Sequence, residues 1–138
     1  MESRLQEQIE KHELLIKQRG GDNEDTKFKM TIFEECGHKE TKHYEIFIEQ
    51  IKFNELHIKH SGYMIRIFQG YIEHVPANPP KFVQILKVCL GLLKSGAGDI
   101  EDNMRGLVEL GYYKEQEYKE HMEGFMAEIN AWESAPGL

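Results

Sequence analysis

TKFKMTIFEECGHKETKHYEIFIEQIKFNELHIKHSGYMIRIFQGYIEHV, residues 26–75, can be read in two periods, and the architecture of the chain turns on which one holds. A period of two is visible in four pieces. Phe28, Met30 and Ile32 alternate with Lys27, Lys29 and Thr31. Tyr44, Ile46 and Ile48 alternate with His43, Glu45, Phe47 and Glu49. Leu56 and Ile58 alternate with Glu55, His57 and Lys59, and Tyr63, Ile65 and Ile67 with Met64, Arg66 and Phe68. A strand turns successive side chains to opposite faces, a setting that suits Ile, Phe, Tyr and Thr. The gaps GHKE (37–40), KFN (52–54) and HSG (60–62) are short enough for hairpins. On this period the stretch is a four-stranded antiparallel meander, with first-strand lysines facing second-strand glutamates.

The other period is helical. Met64, Ile67, Phe68, Tyr71, Ile72 and Val75 fit one helical face, as do Tyr44, Phe47, Ile48 and Ile51. Glycines 20, 37, 62, 96 and 111 would then each close a helix. That reading gives an all-α bundle, kept as the alternative. Four consecutive alternating pieces and a β-branched, aromatic composition favour the strands. The expected fold is therefore α+β, one domain over 1–138: an N-terminal helix, the four-stranded meander, and three C-terminal helices over its apolar face.

The flanks read more simply. Residues 2–18 predict a helix with Leu5, Ile9, His12 and Ile16 in a narrow seam, capped by Ser3 and ended by Gly20-Gly21. GGDNED (20–25) follows as a polar connection. PPKFVQILKVCLGLLKS (79–95) is apolar nearly all round, which marks a buried core helix. Pro79 and Pro80 suit its first turn, and Gly96 its end. GAGD (96–99) reads as a turn, with Asp99 capping a helix over 100–110 that Gly111 stops. A last helix over 113–133 carries Tyr118, Met122, Phe125, Ile129 and Trp132 in a seam, and the tail SAPGL frays.

Composition narrows the function. The chain of 138 residues has a formal charge of −7, from 24 acids and 17 bases. Nucleic-acid binders and proteins held on anionic membranes carry basic fields, so neither partner is expected. Base stacking on sheet aromatics such as Phe47 and Phe68 is the least favoured function for that reason. Two cysteines, Cys36 and Cys89, make no disulfide framework, and Cys89 falls in the core helix. The opening MESRLQEQIEKHE has no apolar leader, so a cytoplasmic location is expected.

No phosphate loop, dinucleotide fingerprint, nucleophile elbow or metalloprotease motif is present in the sequence. Histidines are the one lead toward chemistry. In a meander Cys36, His38 and His43 flank the first turn and His60 returns to the same end, where the four would suit zinc. Solvated turn residues are the ordinary explanation, and no cofactor is expected. Glu35–His38 and Glu40–His43 have di-iron spacing, but only long helices would use it. Glu117 with His121, and His57 and His74, are expected in solvent.

The order helix, strands, VPANPP (75–80), helices is similar to the RWD and ubiquitin-conjugating fold, and VCLGLL (88–93) looks like the cysteine segment of the conjugating enzymes. The interval from proline to cysteine is too short, and the tyrosine-proline pair and His-Pro-Asn segment are absent. The resemblance implies a fold and no site residue. The function expected is a small protein-binding module without catalysis: an adaptor, an inhibitor or immunity-type protein, or an accessory subunit. Tyr118, Met122, Phe125, Ile129 and Trp132 would meet a protein partner, in a homodimer or a hetero-complex. The alternative is a small metal- or ligand-binding protein using the Cys/His cluster.

Overall fold

The computed structural model describes residues 2–134 and contains four helices, with no strand among the described residues. They are α1 (Glu2–Glu35), α2 (Lys42–His74), α3 (Pro79–Glu109) and α4 (Glu115–Glu133). The α+β expectation is overturned and the all-helical alternative holds. The first proposed strand lies inside α1 and the other three inside α2. Likeness to a sheet-containing conjugating fold loses its basis with the sheet.

The physical reason lies in the position of α2. It has α1 along one side and α3 along another. A helix with two neighbours needs apolar residues over a wide arc, so positions i and i+2 are apolar as well as i+3 and i+4. In α1 the alternation separates an inner from an outer face: Met30 is half-buried while Phe28 and Ile32 are exposed. Intrinsic preference for strand is a weak force beside such packing.

Glycine misled the helix ends in the same way. Gly20 and Gly21 lie inside α1, and Gly96 and Gly98 inside α3, so GAGD is no turn and Asp99 caps nothing. The helix also starts at Glu2, ahead of Ser3. Among the described residues only two glycines take the left-handed conformation that closes a helix, Gly37 at φ 73° and Gly111 at φ 79°. Beyond α1, His38 N donates to Phe33 O at 2.8 Å and Gly37 N to Glu34 O at 3.1 Å, satisfying the last carbonyls. Starts are capped by side chains: Thr41 accepts from Tyr44 N, and Asn78 from Lys81 N ahead of Pro79 and Pro80. Lys114 N donates to Glu117 Oε1 at 3.1 Å at the start of α4. Residues 135–138 of the expected tail lie outside the described residues.

Consecutive helices run antiparallel, up-down-up-down. Tyr44 meets Glu34, and Asn54 meets Asn23, between α1 and α2. Glu49 meets Asn103 between α2 and α3. Tyr118 meets Glu101, and Lys94 meets Glu133, between α3 and α4. Close backbone approach by α4 is to α3 alone, and its side chains reach α2 across the bundle. A Cβ on Gly70 would meet Phe82 and Ile85 at 3.4 Å, so this glycine lets α2 and α3 draw together.

Phe82, Met64, Ile67, Met104, Leu107 and Ile129 are fully enclosed at the centre. The apolar segment in α3 buries Phe82, Leu86, Cys89, Leu90 and Leu93, as expected. Val88 and Leu92 are nevertheless exposed, so that segment has a wide one-sided stripe and is not buried all round. At 19 residues, α4 is much shorter than the 31 to 34 of the others. It starts near Phe53 and His57 of α2, with His121 already against His57. Beyond that level the bundle has three helices, and the groove that a longer α4 would fill is open.

Candidate functional site

A cleft of about 370 Å³ occupies this open groove, lined from α1 by Arg19, Asp22, Asp25, Thr26 and Lys29. Gln50, Phe53 and Asn54 of α2 form its floor, and Leu107, Tyr112 and Tyr113 its far side. Gly111 turns the chain so that Tyr112 and Tyr113 fall there, with their rings edge to face at 4.8 Å. Phe53 lies 6.0 Å from Tyr113, which makes an aromatic wall. Burial pushes the Tyr113 hydroxyl up from its ordinary value.

Arg19 is the centre of the cleft. Its guanidinium carbon sits 5.3 Å from the Phe53 ring centroid, a cation–π arrangement. Nη1 donates to Asn54 Oδ1 at 3.3 Å. Asn54 Nδ2 donates in turn to Asn23 Oδ1 at 2.8 Å, and Asn23 Nδ2 to Ile51 O at 3.3 Å. This relay fixes the arginine without neutralising it. Among the described residues no carboxylate is within ion-pairing reach of Arg19. Its Nε is buried with no acceptor. Burial lowers the pKa, opposed by Tyr113 and Asp22, and an arginine stays charged throughout.

Behind Arg19 the interior is polar for two further turns. His57 is 5% exposed, and its Nδ1 lies 2.7 Å from Phe53 O. A carbonyl only accepts, so Nδ1 carries the proton and Nε2 is left as an acceptor. His57 Nε2 lies 2.8 Å from His121 Nε2, so His121 Nε2–H donates into it. Burial drives the His57 pKa down to about 3, with Arg19 and His121 adding to the effect. His121 is lowered too, by burial and then by Arg19. Both residues, expected in solvent, are thus interior groups held neutral. One turn further, His12 Nδ1 meets Ser61 Oγ at 3.0 Å, and burial lowers its pKa. His60 lies over Phe125 at 4.6 Å, with Nε2 3.8 Å from Glu128 Oε2. Contact with the His60 ring lowers the Glu128 carboxyl, against the effect of burial.

The proposed zinc ligands do not converge. Cys36, His38 and His43 are exposed around the α1–α2 connection. His60 lies 17 residues beyond His43 on the same helix, about 25 Å away at 1.5 Å per residue. No group of three or more His, Cys, Asp or Glu suited to a metal occurs among the described residues. In the α4 seam, Tyr118, Phe125 and Ile129 are buried, and Met122 and Trp132 pack on the same core. Trp132 sits 5.9 Å from Phe68 and 6.2 Å from Phe82. The chain fills this seam from within, and the three buried side chains offer nothing to a partner.

The sequence reading missed Arg19, Asn23 and Asn54, although a signal was present. The seam Leu5, Ile9, His12, Ile16 continues as Arg19, Asn23, Thr26 and Met30 in the same steps of three and four. Its polar members and the glycine pair hid it. No family model, curated protein or solved structure matches this chain. No helix is long and apolar enough to cross a membrane among the described residues.

Proposed function

We propose that this chain is a non-catalytic cytoplasmic binding protein whose ligand is a small zwitterion held in the cleft over Arg19. The observation that carries the proposal is the half-buried Arg19 guanidinium on the wall of an open cleft, with no carboxylate within ion-pairing reach among the described residues. A charge withdrawn from water without a partner is costly, and a ligand carboxylate supplies the missing partner in a geometry that suits arginine. Asp22 and Asp25 line the same cleft and suit a cationic end. Tyr112 and Tyr113 give the ligand's carbon skeleton a flat surface. The volume is at the lower end of small-molecule sites, which fits a ligand of amino-acid size.

The test is calorimetry with free α-amino acids, dicarboxylates and inorganic phosphate, on the native chain and on Arg19→Gln. The zwitterions should bind the native chain and lose their heat signal in the variant. Tyrosine fluorescence should change on binding, because Tyr112 and Tyr113 line the cleft. Preference for phosphate or dicarboxylates would correct the ligand class. No heat from any probe at millimolar concentration, or equal heat from the folded variant, would overturn the proposal.

A further inference from the structure

The outward face of α1 carries Leu14, Gly21 and Phe28 at steps of seven, with Ile32 one turn further on. Residues seven apart lie nearly in line on a helix. Leu14 is 55% exposed, Phe28 68% and Ile32 43%. A Cβ built on Gly21 would meet nothing within 4 Å. Packing within the chain therefore explains neither the apolar residues nor the glycine, which weakens the middle of a helix relative to alanine.

We infer that this face is where two copies of the chain meet, their α1 helices crossing antiparallel about a two-fold axis at Gly21. Between Leu14 and Phe28 the face is complementary to its own reverse. Rotation about the axis sets Leu14 of each copy against Phe28 of the other and brings the two Gly21 backbones together, where no side chain holds them apart. On one flank the same rotation sets Lys17 beside Glu24 of the second copy, and this happens twice by symmetry. Within the chain the only ion-pair partner of Glu24 among the described residues is Lys27, at 3.8 Å and largely in solvent. Its carboxylate is free to turn outward. Self-complementarity of charge and apolar order in one register selects a second copy over an unrelated partner. A single helix crossing lies at the small end of specific interfaces, below about 1,200 Å² in total, so the dimer is weak and concentration-dependent. This face points away from α2 and the inference stands apart from the ligand proposal, which is read by calorimetry.

Sedimentation equilibrium from micromolar to millimolar chain tests it. A reversible dimer is expected, weakened several-fold by Lys17→Glu or by Glu24→Lys and restored when both changes are in one chain. Phe28→Lys should give a monomer with unchanged helical circular dichroism. Gly21→Cys in a Cys36→Ser background should cross-link to itself under mild oxidation far faster than Leu14→Cys, because only position 21 lies on the axis. A monomer at every concentration would overturn the inference and leave the face to another partner. So would a dimer indifferent to the charge exchange, or one that does not cross-link at position 21.

Discussion

Where α4 lies over the bundle, neighbouring helices meet through Met64, Ile67, Phe82, Leu86, Ile129 and Trp132. Where α4 has not begun, apolar contacts such as Phe33 on Phe47 and the enclosed Leu107 are joined by polar ones: Arg19 and Asn54, Asn23 and Asn54, and Glu49 and Asn103. These two ends differ in what holds them. Apolar burial is worth roughly 25 cal/mol per Å² and is indifferent to direction. An amide hydrogen bond adds only about 1 kcal/mol net, but it fixes orientation. The covered end supplies stability, and the open end holds a polar cleft in a defined shape.

The largest effect expected is at the covered end. Phe82→Ala should cost about 3–5 kcal/mol in denaturant unfolding, the range for an enclosed aromatic. A loss below about 1 kcal/mol would show that the covered end is not the source of stability.

Acid should strike at the junction between the ends. The unfolded His57 takes up a proton near 6.5, whereas the folded residue holds off until about 3. The folded pKa is depressed, so the unfolded state binds more protons between those values and stability falls as pH falls through that window. The slope for this one residue is about 1.4 kcal/mol per pH unit. His12 and His121 are shifted in the same direction, and the lowered Glu128 carboxyl also favours folding less as acid is added. Urea midpoints from pH 7 to pH 4 measure the slope, and His57→Gln should flatten it. A profile as steep in the variant would remove His57 from the account.

At the open end Asn54→Ala should cost about 1–3 kcal/mol, since it strips a partner from both Arg19 and Asn23. It should also weaken zwitterion binding, because Arg19 loses its anchor. Stability unaltered by Asn54→Ala would mean that water replaces the amide and the relay does not hold the cleft. The smallest effect expected is for Lys87→Ala, within about 0.5 kcal/mol, since that side chain is exposed on α3.

How far the sequence could be read follows the same division. Apolar packing of one helix face was legible: Leu86, Leu90 and Cys89 are buried, Pro79–Pro80 opens α3, and Gly111 ends it. The α2 region was not, because a helix between two neighbours is apolar at i and i+2 and imitates a strand. The continuity of α1 through Gly20-Gly21 and of α3 through Gly96 and Gly98 depends on tertiary contacts that local preference does not report. The cleft was illegible for a related reason. Arg19 and Asn23 look like surface residues unless the seam is followed past the glycines, and Asn54 is 31 positions away from Asn23. The interior histidines read as solvent residues because nothing local distinguishes a buried imidazole from an exposed one.

One consequence of how α4 is attached concerns the order in which the molecule opens. Its backbone lies close only to α3, and it reaches α2 through rings: His121 on His57, Phe125 on His60, Trp132 on Phe68. Such a helix can detach as one cooperative unit while the three long helices stay together. Its amides should then exchange with solvent deuterium through a sub-global opening, well before those around Ile67 and Phe82. Once α4 has detached, the His57 and His121 rings part and each is free to take a proton. Protons therefore pull on this opening through two rings, and on a parting of α1 from α2 through His12 alone, which makes α4 the more acid-sensitive latch of the bundle.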